Sequence, residues 1–142
     1  MSQNIQFFSE QTDFNLPKQS DVSDWISLCI SKKGKQTGSL NFIFCTDEYL
    51  LSLNKEYLNH DTYTDVITFN YVKDETISGD VFISVERVKD NASTLNLDFN
   101  HELHRVIIHG VLHLIGYGDK TPEEAQEIRG QEDFCLTLRS EN

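Results

Sequence analysis

From residue 99 to 114 the sequence FNHELHRVIIHGVLHL carries apolar side chains around almost the whole circumference of a helix, and this stretch constrains the fold more than any other. At about 100° per residue, Leu103, Val106, Ile107, Val111, Leu114 and Ile115 leave only a narrow polar stripe at Arg105, His109 and His113. A helix that is apolar nearly all round belongs in a core, so the other elements must wrap it. Gly116 stands where that helix should stop, because a glycine past a helix end can take the conformation that turns the chain back.

The rest of the chain supplies the wrapping. Its 142 residues suit a single domain spanning 1–142 with a sizeable core. Residues 5–8 and 40–44 are apolar runs that predict strands, as are 65–69 and 80–84, which are bracketed by turn formers. Val22, Trp25, Ile26, Cys29 and Ile30 recur at helical spacing over 21–31, before the stop signal Lys32-Lys33-Gly34. Thr46-Asp47-Glu48 opens a second helix through Leu50, Leu53 and Tyr57, and a weaker helical pattern covers 85–89. Thr121-Pro122-Glu123-Glu124 combines an N-cap, a proline at the first helical position and a glutamate three residues past the cap. It opens a last helix over 122–138, carried by Ala125, Ile128, Cys135 and Leu138. The predicted class is α+β: a small mixed four-stranded sheet packed with about five helices, with the functional site at the end of the central core helix.

Charge and composition exclude several function classes. A net charge of −11 argues against non-specific nucleic-acid binding through a basic surface. No apolar run approaches the roughly eighteen residues of a membrane span. The start, Met1-Ser2-Gln3-Asn4, lacks the basic and apolar regions of a secretory signal, so a cytoplasmic location away from membranes is expected. Cys29, Cys45 and Cys135 are widely spaced with no CxxC pair, which predicts small buried side chains and neither a disulfide framework nor a zinc ribbon.

His109 and His113 lie four residues apart, so both rings sit on one helix face and can aim at one ion. A chance pair at this spacing occurs in roughly one such chain in seven, so the spacing alone is weak. What raises it is that both rings fall on the single polar stripe of an apolar helix, where an unpaired imidazole would be costly. After Gly116 and Gly118 the chain can return Asp119 to the same ion, giving the three-ligand count of a catalytic zinc site. A water on such an ion supplies a nucleophile without any protein side chain having to be one. Gly110 follows His109 where an HExxH protease carries its general-base glutamate, which disfavours protein hydrolysis by that route. His60, His101 and His104 are read as solvated.

At HGVLHLIGY, residues 109–117, the chain resembles the YbeY family of endoribonucleases, bacterial rRNA maturation factors with the signature HGxLHLxGYDH. Leu53-Asn54-Lys55-Glu56-Tyr57, Thr64-Asp65-Val66-Ile67-Thr68-Phe69 and Gly79-Asp80-Val81-Phe82-Ile83-Ser84 are similar to that family's LNxxY, T(D/N)VLSF and GDIxIS segments, in order. The resemblance covers roughly residues 40–139. It implies a single zinc, cleavage of single-stranded RNA, maturation of the 3′ end of small-subunit (16S) ribosomal RNA, and a part in ribosome quality control with small-subunit proteins as partners. A monomer is expected.

Asp119 stands where the family has its third histidine, Gly118 where it has aspartate, and Leu58 where a basic residue usually follows Tyr57. Tyr63 and Asn70 replace prolines. Arg105, one turn before His109, is the substitute expected to contact phosphate, its other reading being an ion pair with a neighbouring carboxylate such as Glu102. Asp65 is assigned to orienting water or holding the site together. Two rivals are a metallopeptidase-like hydrolase, from the HxxxHxxGxxD layout, and a non-catalytic ribosome-associated protein with a structural metal.

Overall fold

Apolar side chains alternate along the strands, so the sheet has two unlike faces, each covered by helices. The computed structural model describes residues 4–139; the reading drawn from Met1, Ser2 and Gln3 lies outside the described residues. In chain order these form β1 (Ile5–Glu10), α1 (Gln19–Lys32), β2 (Gln36–Cys45), α2 (Asp47–Tyr57), β3 (Val66–Asn70), β4 (Thr76–Ser84), α3 (Val85–Leu95), α4 (Phe99–Ile115) and α5 (Pro122–Thr137). The sheet order is β1-β2-β4-β3, with β2 parallel to both β1 and β4 and β3 antiparallel to β4. The fold is therefore α+β with a mixed four-stranded sheet and five helices.

Leu40, Phe42 and Phe44 of β2 join Val81 and Ile83 of β4 on one face, in the main core with α1, α3, α4 and α5. On the other face Cys45, Leu50 and Ile67 form a smaller cluster with Tyr49, Leu53, Phe69 and Phe82, under α2. Leu103, Ile107, Ile108 and Leu112 of α4 are fully buried, each contributing roughly 1.5–3 kcal/mol. The helix lies close on the sheet at Gly110, where an added methyl would meet Val81 Cγ1 at 2.8 Å. No helix among the described residues is long and apolar enough to cross a membrane.

Several boundaries differ from expectation. β2 begins at Gln36 and β4 at Thr76, because the polar lead-in residues pair with one another around a register shift between Thr37 and Leu40. Gly38 and Ser39 fall inside that shift, where the Ser39 N–H donates to Ser78 Oγ at 3.1 Å. α3 runs to Leu95 because Val85, Val88 and Ala92 form one buried stripe, and it ends on Asn96 in the left-handed region. The α5 cap is as expected: Thr121 accepts from the Glu124 N–H at 3.0 Å and Pro122 holds the first turn. All three cysteines are buried and free.

His101 and His104 correct the solvated reading. His104 packs 5.4 Å from the Trp25 ring and sits 2.9 Å from Arg139 Nη1; Arg139 also reaches His101. Burial, with Arg139 and His101 adding to it, pushes the His104 imidazolium down to about 4. Its folded value lies below the unfolded value of about 6.5, so its contribution is complete above that pH and is lost as pH falls toward about 4. The expected loss is up to about 3 kcal/mol, and His104→Gln should remove most of this acid sensitivity. Urea midpoints above and below that window, compared between the two proteins, check it; equal acid slopes would contradict it.

Candidate metal centre

The end of α4 and the turn that follows bring three ligand atoms to one point. His109 and His113 are half-buried, and their Nε2 atoms lie 2.9 Å apart. Gly116, at φ 129°, ends the helix and turns the chain, and the Tyr117 N–H closes the turn on the Leu112 carbonyl at 3.0 Å. The return places Asp119 Oδ2 at 3.5 Å from His109 Nε2 and 3.3 Å from His113 Nε2. All three atoms lie within 4.8 Å of one another, as a shared metal requires. Zinc bonds of about 2.0–2.1 Å in a tetrahedron put neighbouring ligand atoms about 3.3 Å apart, and these three separations bracket that value.

The rest of each ring points away from that focus. His113 Nδ1 meets the Tyr117 carbonyl at 2.9 Å. A carbonyl only accepts, so the proton sits on Nδ1 and Nε2 is left with its lone pair. His109 Nδ1 meets Glu132 Oε2 of α5 at 2.5 Å. Burial works against the Glu132 charge, yet hydrogen bonds from His109 and Arg105 hold its carboxyl below the usual carboxylate range. Burial likewise disfavours the His109 imidazolium, and Glu132, with Asp65 and Asp119, more than offsets this to raise it.

A cleft of about 580 Å³ opens in front of the three ligands, walled by Asn54, Leu58, His60, Thr62, Thr64 and Thr68, with Asp65 alongside. The wall between α2 and β3 is tied down by Asn54, whose side chain donates to the Thr62 carbonyl at 2.8 Å and whose own carbonyl accepts from Leu58 and His60. A second cavity of about 380 Å³ shares Asp65, His109 and Asp119 and continues to Arg129 and Glu132.

The family model described as Endoribonuclease YbeY matches residues 4–139. The chain belongs to the YbeY family. The protein named Endoribonuclease YbeY in Flavobacterium johnsoniae is 49% identical over 131 residues, 92% of this chain and 94% of its own length. Its namesake in Amoebophilus asiaticus is 50% identical over 134 residues, covering 94% and 91%. The solution structure of TM1509 from Thermotoga maritima shares the fold, with a TM-score of 0.68 at 23% identity over 94% of this chain and 87% of that one.

Against the YbeY signature, the structure brings His109, His113 and Asp119 together, with the aspartate at the position of the family's histidine. Asp65 faces both cavities. Burial raises its carboxyl, which His109 partly opposes, and Asn91 donates to its Oδ2 at 3.2 Å. Arg105 is not a free cation: it pairs with Glu132 Oε1 and Asp133 Oδ1, both at 2.7 Å, and not with Glu102. Two carboxylates already neutralise the guanidinium, which removes the reason to expect it on phosphate. Glu102 is buried, with no hydrogen-bond partner for its Oε1 among the described residues. His60 is exposed, as expected, and lines the cleft.

Glu132 is the site residue that sequence reading missed. It lies four residues after Ile128 and three before Cys135, on the buried stripe of α5, and a carboxylate on that stripe was the available signal.

Proposed function

We propose that the chain is a zinc-dependent, single-strand-specific endoribonuclease that matures the 3′ end of 16S ribosomal RNA and takes part in ribosome quality control. The observation that carries the metal part is the convergence of two lone-pair nitrogens and a carboxylate oxygen at the floor of an open cleft. The RNA part rests on the family and on the endoribonuclease activity for which its relatives are named. When bound, one zinc ion supplies Lewis acidity and makes a coordinated water acidic enough to be a nucleophile near neutral pH.

The chain's own residues divide the remaining work. His109, His113 and Asp119 hold the ion, and Asp65 orients water or substrate from the cleft wall. The segment between α2 and β3 presents Leu58, His60, Thr62 and Thr64 to the strand in the cleft. A chain of charge −11 has weak general affinity for RNA, which suits a monomer in the cytoplasm guided by small-subunit proteins. The test compares a 3′-extended 16S fragment as naked single strand, as duplex and on assembled small subunits. Cleavage is expected on single strands, to be faster per enzyme on subunits, and to be absent on duplex; equal rates on all three would contradict the proposal.

A further inference from the structure

We infer that Glu132 is a positioning residue for the metal centre: with Arg105 behind it, it fixes the ring orientation and tautomer of His109. This rests on the zinc reading above and extends it to a residue outside the ligand set. The contacts form a chain across α4 and α5. Arg105 Nη1 donates to Glu132 Oε1 at 2.7 Å, and His109 Nδ1 sits 2.5 Å from Glu132 Oε2, so each carboxylate oxygen has its own partner. The Arg105 and Glu132 side chains are only 13% and 5% exposed, so water does little to screen or replace these bonds. Asp133 holds the second guanidinium nitrogen, which fixes Arg105 in turn.

The chemistry follows from what each group can do. An ionised carboxylate only accepts, so the shared proton stands on His109 Nδ1 and the Nε2 lone pair faces Asp119 and His113. With the other tautomer, an N–H would point at the ligand focus and the carboxylate would face a second lone pair. The two ring ligands are also unequal. His113 is oriented by a neutral carbonyl and His109 by a charged carboxylate, which makes His109 the more basic donor. The net negative charge that Asp119 adds to the site is thus accompanied by a second carboxylate one step behind, itself held by Arg105.

The test uses the full chain, metal-free and zinc-loaded, as wild type, Glu132→Ala and Glu132→Gln. Long-range ¹H–¹⁵N correlations of the metal-free imidazoles read the tautomer, and chelator competition reads zinc affinity. Wild type is expected to carry the His109 proton on Nδ1. Glu132→Ala should populate the Nε2 proton and weaken zinc binding roughly 10–100-fold. Glu132→Gln has one amide oxygen for two donors; with that oxygen on Arg105 its amide N–H faces His109 Nδ1, so this near-isosteric variant should also shift the proton toward Nε2 and weaken zinc binding. Wild-type tautomer and wild-type affinity in Glu132→Ala would overturn the inference, as would a neutral His109 protonated on Nε2 alone in the metal-free wild type. If wild type bound no zinc the metal reading would fail, while the metal-free tautomers would still decide the role of Glu132.

Discussion

His113→Ala is expected to abolish RNA cleavage while leaving the fold in place. The ring would supply one of the three proposed metal ligands, and it stands on the polar stripe of α4 facing the cleft, outside the apolar core. Loss of a group that merely orients a ligand costs roughly 10–100-fold in metal affinity or activity, so loss of a ligand itself should cost more than about 100-fold. His113 also holds the Tyr117 carbonyl, so the turn carrying Asp119 loosens in the same variant and the two losses compound. Initial rates on single-stranded RNA, with far-ultraviolet circular dichroism on the same samples, check this. Cleavage within a few-fold of wild type would remove the metal site from the reaction.

Gly79→Val should be the most damaging single change to the fold. Gly79 lies in β4 opposite Asn70 of β3, where an added Cβ would lie 2.5 Å from the Phe69 carbonyl oxygen and 3.0 Å from Leu114 Cδ2. The first of these is backbone in a paired strand and cannot swing aside, and the second belongs to the last turn of the site helix. Overpacking of a well-filled core costs about 1–3 kcal/mol, and a displaced ladder adds to it, so about 3 kcal/mol or more is expected here. The same clash pushes on α4 near His113, so zinc affinity should fall with stability. Urea unfolding of wild type and variant measures the difference; a shift within about 0.5 kcal/mol would mean that β3 and β4 can separate at no cost.

The site helix was legible because its signals agree. An apolar circumference, one polar stripe and a terminal glycine all point to a core helix ending in a ligand pair, and residues 99–115 form that helix. The strands were legible where they are apolar and not where they are polar, since Gln36 and Thr37 pair with Thr76 and Ile77 with no apolar run to announce them. Likewise α3 continues past Lys89 through Asn91, Ser93 and Thr94 because Val88 and Ala92 are buried, an effect of tertiary contact on weak helix formers.

The grouping of His109, His113 and Asp119 was legible for the same reason as the helix, being local in sequence. The partners of Arg105 and His109 were not, because Glu132 and Asp133 come from α5 across 23 to 28 residues. Sequence spacing offered Arg105 the carboxylate three residues before it, Glu102. Packing turned the guanidinium toward α5 instead, and packing against α1 made His104 a half-buried neighbour of Trp25.

Elemental mass spectrometry of zinc per chain, on wild type and on Asp119→Ala, tests the central claim most directly. The account predicts one zinc per wild-type chain and a large loss in the variant, with single-stranded RNA cleavage falling in the same proportion. Wild type without zinc, or a variant that keeps both its zinc and its cleavage, would contradict it.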